Sequence, residues 1–307
     1  MDLSNKKILI AGGAGFIGSR TADALVKMGA DIAIIDNLST GRKENLNPKA
    51  RFYNMNIADP EVKGVFEKEN PDFVYNFAFN VLVPKAVENP LIEMDSISGG
   101  LNILMNCEKC DVKKIIFSSS GFVYGNTQNL PVKETEPIDP ASPYVVSKNA
   151  VENYVRFFNK AYGLPYVIFR YAAVYGPGQV TGAMADYIRK LSSGSQAEIW
   201  GDGSKTRDYV FIDDVVNANI SALSLPENFE NPVFNVGTGI ETSLNELYFK
   251  IAEFLGKDAS PVYLADRPGD QIRYALNCSK IKSALGWQPK YSLEDGLRLR
   301  IKEDGLI

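Results

Sequence analysis

Residues 12–18 read GGAGFIG, with glycines at 12, 15 and 18 in a G-x-x-G-x-x-G spacing. Before them, residues 8–11 form an unbroken apolar run that suits a strand buried on both faces. After them, Ile17, Ala22, Leu25 and Val26 fall at helical spacing, and Gly29 closes the pattern. A strand that turns through glycine directly into a helix is compatible with few architectures. The tight turn needs a permissive φ, the backbone must approach a diphosphate, and the helix must pack closely on the strand. The helix N-terminus then offers unpaired N–H groups and a partial positive charge to the phosphates.

The run 31–35 ends at Asp36 and completes a strand–helix–strand unit of the expected length. Further strands are predicted at 51–57, 73–77, 114–118 and 165–170, with helices at 60–69, across most of 84–111, and at 143–162. Strands alternating with helices form a parallel sheet covered on both faces. The expected fold class is therefore α/β, a doubly wound parallel sheet of the Rossmann type. Near residue 175 the texture changes: 175–182 is rich in Gly and 194–208 is polar and turn-rich. The helix opened by Asp213 and Asp214 and the strand 233–236 read as returns to the sheet. The expected organisation is a dinucleotide domain over 1–172, with returns near 212–240, and a smaller, discontinuous C-terminal α/β substrate domain over 173–307, with the substrate between the two.

Composition narrows the function. Of 307 residues, 45% are apolar and 23% charged, enough for a full core. Lys plus Arg is 33 and Asp plus Glu is 37, a net charge of −4. Such dispersed, mildly acidic charge speaks against nucleic-acid and anionic-membrane partners. No stretch approaches the roughly 20 apolar residues of a membrane helix, and the N-terminus lacks a secretory pattern, so a cytoplasmic location is expected. The chain has no His, which removes every mechanism that needs an imidazole. Three cysteines without His do not make a four-ligand zinc site, and no metal is expected. Cys107 and Cys110 form C-x-x-C, but their surroundings read as helix, which makes them small packing residues rather than a redox pair.

Asp36 stands where a carboxylate accepts both ribose hydroxyls of a dinucleotide and repels a 2′-phosphate, which predicts NAD rather than NADP. Arg42 and Lys43 nearby read as a solvated loop. Tyr144 and Lys148 form Y-x-x-x-K, a spacing that chance produces easily, so its placement decides its weight. Four residues apart on a helix put both side chains on one face. Upstream, Ser118-Ser119-Ser120 ends a strand, where the loops of a parallel sheet meet a ligand. A free Tyr, with a pKa of about 10, is a poor base at neutral pH. A neighbouring ammonium and a positively charged nicotinamide are expected to lower it. Tyr144 then takes a proton from a substrate hydroxyl while hydride leaves the same carbon, and Ser120 hydrogen-bonds the reacting oxygen. The bland alternative is a packed Tyr beside a solvated Lys.

The segments AGGAGFIGS, DNLSTG, SSSGFVYG, SPYVVSK, RYAAVYGP, GDGSKTRDYVFIDDV, NVGTG, RPGDQIR and LGWQPKYSLEDGL run almost end to end. In them the chain resembles the extended short-chain dehydrogenases/reductases, and among these the UDP-glucose 4-epimerases. The resemblance implies an isomerase of galactose and carbohydrate metabolism that acts on UDP-glucose and UDP-galactose through a transient 4-keto sugar, with tightly held NAD. It implies a catalytic set of Ser120, Tyr144 and Lys148. It implies a cofactor site of Gly12, Gly15, Phe16, Ile17, Gly18, Asp36, Asn37, Ser39, Thr40, Gly41, Asn56, Ile57, Phe77, Ala78, Phe79, Ser118, Tyr144, Lys148 and Tyr171. It implies a substrate site of Ser120, Phe122, Tyr144, Ala173, Trp200, Arg207, Arg267, Asp270 and Tyr274. In that site Arg207 and Arg267 clamp the diphosphate, Asp270 holds the uridine ribose and Trp200 lies near the uracil. Asn56 sits where the family usually reads the adenine amino group with Asp.

The chain also departs from the family pattern. Ala173 stands where epimerases often have a phosphate-binding Asn, Gly178 replaces an Arg, Phe79 replaces a small residue beside the nicotinamide, and Ser96 replaces an Asn. Tyr274 aligns with a gate position, where a bulky side chain favours a plain hexose over an N-acetylated one. Gly121 and Phe122 disfavour a 4,6-dehydratase, which needs an acidic pair there. A UDP-hexuronate epimerase, a decarboxylase, a 4-keto-sugar reductase and a non-catalytic NAD sensor are the alternatives. The family further implies a homodimer through helices near 91–111 and 146–162, the second carrying Val151, Tyr154, Val155 and Phe158 at helical spacing.

Overall fold

In a computed structural model that describes residues 1–81, 83–257, 260–266 and 271–306, the strand β1 (Lys7–Ala11) is buried at every residue but its first. The chain continues through α1 (Phe16–Lys27), β2 (Asp31–Asp36), β3 (Arg51–Asn54), α2 (Val62–Glu69), β4 (Phe73–Asn76), α3 (Val83–Glu88), α4 (Met94–Lys109), β5 (Lys114–Ser120), α5 (Pro143–Tyr162) and β6 (Tyr166–Tyr171). There follow β7 (Ala173–Tyr175), α6 (Ala183–Ser192), β8 (Glu198–Trp200), β9 (Thr206–Arg207), β10 (Tyr209–Phe211), α7 (Ile212–Ser221) and β11 (Val233–Val236). The last elements are β12 (Thr242–Ser243), α8 (Leu244–Phe254), β13 (Val262–Leu264), α9 (Ser279–Leu285) and α10 (Leu293–Glu303).

Seven strands form one sheet in the order β11-β6-β5-β4-β1-β2-β3. β1 pairs in parallel with β2 and β4, β2 with β3, and β4 with β5. The chain forms the doubly wound α/β sheet expected of it. Its strand order reverses between β1 and β4, and in such sheets ligands bind at the carboxyl ends of the strands flanking that switch.

The chain divides into two compact units. One comprises Met1–Val123, Ser142–Arg170 and Val216–Phe234; the other comprises Tyr124–Ala141, Tyr171–Val215 and Asn235–Ile307. In the second, β7 pairs in parallel with β10 and β8 with β13, while β9 pairs antiparallel with β12. Asp208 ties these pieces together: its buried carboxylate accepts the Thr238 N–H and hydroxyl, the Gly239 N–H and the Leu276 N–H.

Two local expectations change. The strand predicted over 51–57 stops at Asn54, because the Asn56 side chain accepts the Ala58 N–H and turns the chain. The helix predicted across 84–111 is broken into α3, a 3₁₀ turn (Pro90–Glu93) and α4. Pro90 has no N–H and restricts Asn89, whose side chain accepts the Leu91 N–H instead.

α5 starts with Pro143 in its first turn and ends at Gly163 with φ +74°. Its buried face is Val145, Ser147, Lys148, Val151, Glu152, Val155 and Phe158. Val151, Val155 and Phe158 pack into the core with Leu104 and Phe117, so these members of the stripe face their own sheet. Tyr154 is exposed, together with Val146, Phe157 and Tyr162. Glu152, buried in the same stripe, accepts Arg170 Nη2 at 2.7 Å and Arg156 Nη2 at 2.8 Å. Cys107 is a core residue whose thiol burial pushes up, away from reactivity. Among the described residues no helix is long and apolar enough to cross a membrane.

Candidate active site

The turn from β1 to α1 is shaped by backbone alone. Gly12 has φ +79°, and a Cβ there would stand 2.5 Å from the Ala78 nitrogen. A Cβ on Gly18 would collide with the Gly12 carbonyl. Gly15 caps α1 without a side-chain hydrogen bond, so the first-turn amides at Phe16 and Ile17 keep their capacity for an anion. At the end of β2, Asp36 Oδ2 accepts the Ala14 N–H at 3.0 Å and Oδ1 accepts the Leu38 N–H at 2.8 Å. Each oxygen retains a lone pair for a ribose hydroxyl. Asn37 accepts the Ser39 N–H at 3.0 Å, and a Cβ on Gly41, after Thr40, would press on the Asp36 carboxylate. Arg42 and Lys43 are exposed. An amide-lined diphosphate cradle beside a carboxylate acceptor fits a dinucleotide with free ribose hydroxyls.

Other expected cofactor residues lie in the same unit. The Asn56 amide oxygen already serves the Ala58 N–H, and its Nδ2 lies 3.3 Å from Asp95 Oδ2. Ile57 is a core residue against which α4 packs at Gly99. The Phe77 N–H donates to the Ala11 carbonyl at 2.8 Å, and its ring stacks on Tyr75 at 5.6 Å. Ala78 closes on Gly12.

β5 and α5 bring Ser118, Ser120, Tyr144 and Lys148 together. Lys148 Nζ donates to the Ser118 carbonyl at 2.6 Å and approaches Ser118 Oγ at 3.4 Å. Its remaining face is covered by Phe79, whose ring centroid is 3.8 Å from Nζ. The Ser120 hydroxyl is hydrogen-bonded to the Tyr144 phenol, and its oxygen accepts the Phe122 N–H at 3.2 Å. The Tyr144 ring meets Phe79 edge-on at 5.8 Å.

Among the protein's own groups, burial dominates the electrostatics of this pair. Burial pushes the Tyr144 phenol up, and the charge of Glu93 adds to that; only the Ser120 hydrogen bond pulls it down. Burial also drives the Lys148 ammonium down to about 7, opposed by Glu93 and Glu152. Desolvation outweighs the short-range help that a Tyr–Lys pair gives in water. Glu93 was not singled out in the sequence, where it lay within the helix predicted across 84–111. Only the packing of α3, α4 and α5 shows it buried.

Among the described residues, the second unit holds four of the expected substrate residues, Ala173, Trp200, Arg207 and Tyr274. Ala173 opens β7, and its N–H donates to the Asp208 carbonyl at 2.9 Å. Trp200 ends β8 and is partly exposed. Arg207 Nη1 donates to the carbonyls of Thr206 at 2.7 Å and Gln271 at 2.9 Å. Tyr274 is fully buried, and its hydroxyl donates to the Tyr171 carbonyl at 3.2 Å. Arg267 and Asp270 lie outside the described residues. Among the described residues no cluster of acidic or Cys side chains is arranged to hold a metal ion.

Comparison with known proteins agrees with this geometry. The profile of a family described as "NAD dependent epimerase/dehydratase family" matches residues 8–237. The UDP-glucose 4-epimerase of Thermotoga maritima, solved with UDP-glucose, is 41% identical with a TM-score of 0.94, over 97% of this chain and 98% of that one. The UDP-glucose 4-epimerase of Thermus thermophilus, solved with NAD, is 34% identical with a TM-score of 0.90, over 96% and 98%. A UDP-N-acetylglucosamine 4-epimerase of Methanobrevibacter ruminantium, solved with UDP-N-acetylmuramic acid, is 33% identical with a TM-score of 0.91, over 98% of both chains.

Proposed function

Given that the chain belongs to the NAD dependent epimerase/dehydratase family, we propose that it is a 4-epimerase of UDP-hexoses that interconverts UDP-glucose and UDP-galactose. Its cofactor is NAD. The observation that carries the proposal is the assembly of Ser120, Tyr144 and Lys148 in the same compact unit as the glycine cradle.

NAD, when bound, supplies a reversible hydride acceptor for C4 of the sugar. Tyr144, as phenolate, removes the proton of the 4-hydroxyl, and Ser120 holds that oxygen as it becomes a carbonyl. Lys148, when charged, favours the phenolate over the phenol. After the 4-keto sugar presents its other face, the proton returns from Tyr144 to the same oxygen and no net oxidation results. Arg207, with Arg267, supplies guanidinium forks for the diphosphate. Tyr274, bulky and anchored to the Tyr171 carbonyl, favours a plain hexose over an N-acetylated one. We place a homodimer interface on the exposed apolar face of α5 that carries Val146, Tyr154, Phe157 and Tyr162, beside α4.

The test is incubation of the purified protein with a panel of UDP-hexoses, no cofactor added, with the stereoisomers resolved by NMR. Interconversion of UDP-glucose and UDP-galactose is expected. Turnover only with stoichiometric reduced cofactor would instead identify a 4-keto-sugar reductase.

A further inference from the structure

Glu93 ends the 3₁₀ turn between α3 and α4 and is 2% exposed. A carboxylate taken out of water needs partners. Its Oε1 accepts Asn80 Nδ2 at 3.1 Å, while Oε2 is buried with no hydrogen-bond partner among the described residues. Ser147, one residue before Lys148 on α5, adds a weaker polar contact. The 3₁₀ turn that carries Glu93 packs on α5, the helix of Lys148, and the Lys148 charge favours the Glu93 carboxylate.

Lys148 is equally enclosed, at 3% exposure. Around its ammonium are the Ser118 carbonyl and hydroxyl from β5, the Phe79 ring from the segment after β4, and Tyr144 and Glu152 from α5. Glu152 is committed elsewhere, to Arg170 and Arg156. Glu93 is the remaining anion that acts on Lys148. The other charged groups of α3 and α4, which flank Glu93, are Lys85 and Glu88 on α3 and Asp95, Glu108 and Lys109 on α4; all five are exposed, and solvent screens them.

We propose that Glu93 is a positioning residue for the Tyr144–Lys148 pair, whose carboxylate favours the charged form of Lys148 and so sets where the pH–rate profile lies. This deepens the epimerase proposal and rests on it. Burial drives Lys148 down and Glu93 draws it back up; burial also drives Glu93 up and Lys148 draws it back down. The two therefore titrate as a pair. Glu93 also opposes ionisation of Tyr144. Removing its charge lowers both the Lys148 and the Tyr144 midpoints, so the whole profile moves to lower pH. A carboxylate that only braced the fold would lower the profile without moving it.

The experiment follows the Lys148 side-chain NMR signal, assigned with Lys148→Met, against pH in the NAD-loaded protein and in Glu93→Gln and Glu93→Asp. The Lys148 midpoint is expected to fall by about one unit in Glu93→Gln and by less in Glu93→Asp. The kcat optimum shifts to lower pH, while KM stays within about twofold because Glu93 does not touch the substrate. An unmoved Lys148 midpoint, or a loss of kcat with an unshifted profile, overturns the proposal. If Glu93→Gln does not fold, Lys148→Met reads the same coupling in reverse: the Glu93 carboxyl must titrate at higher pH, and an unmoved carboxyl overturns the proposal. The titrations need no substrate. Absence of UDP-hexose turnover would refute the epimerase reading while leaving the Glu93–Lys148 coupling measured.

Discussion

The Lys148 ammonium nitrogen lies 3.8 Å from the centroid of the Phe79 ring, closer than to the ring of Tyr144, at 5.8 Å. A buried cation over an aromatic face is held by the ring quadrupole, worth up to ~2 kcal/mol when desolvated. Phe79→Leu keeps an apolar side chain and discards the quadrupole. The Lys148 midpoint should then fall by about one unit, as read by side-chain NMR. An unchanged midpoint would reduce Phe79 to packing.

Folding takes the Lys148 pKa from 10.5 down to about 7. Between those values the unfolded chain holds a proton that the folded chain has lost. Stability from this group therefore rises with pH there, by up to ~1.4 kcal/mol per unit. Below the folded value both states are protonated, and the full cost of burying the ammonium is present. Lys148→Met should melt above the wild type at pH 6, with the gap closing toward pH 10, although turnover is lost. Calorimetry across that range checks it; a wild type that melts higher at pH 6 contradicts it.

Tyr144→Phe removes the oxygen proposed to move the proton and leaves the glycine cradle and Asp36 untouched. It should purify with NAD and lose turnover by about 10²- to 10⁴-fold. Cofactor absorbance and an NMR assay separate the two effects. Unchanged turnover would remove Tyr144 from the chemistry.

Phe157 is 53% exposed on α5, beside the exposed ring of Tyr162. A charge in a dry interface costs more than the interface returns. Phe157→Glu should sediment as a monomer with unchanged helicity, and the wild type as a dimer. A monomeric wild type refutes this interface.

Tyr274→Ser opens space next to the Tyr171 carbonyl that the phenol now occupies. The ratio of turnover on UDP-N-acetylhexosamines to that on UDP-hexoses should rise about tenfold or more. A constant ratio would mean that Tyr274 is not the gate.

The sheet was legible because strands covered on both faces appear as unbroken apolar runs, as residues 8–11 and 31–35 do. Tyr144, Lys148 and Ser120 were legible from spacing on a helix and position at a strand end. The break at Asn89-Pro90 hid inside apolar spacing that continued across it, although Pro90 was there to be read. Glu93 was not legible, because its burial is produced by helices that meet only in the folded chain. The part that burial plays at Tyr144 was not legible for the same reason: a rule for neighbouring charges omits the water that packing removes.

At Gly12, Gly15 and Gly18 the candidate cofactor cradle is made of peptide groups, where an added Cβ at 12 or 18 would clash. A side chain that holds this loop by a hydrogen bond is Asp36, through the Ala14 N–H. A cradle built this way is fixed by what is missing from it: one added methyl group at 12 or 18 deforms the loop, whatever the chemistry of the side chain.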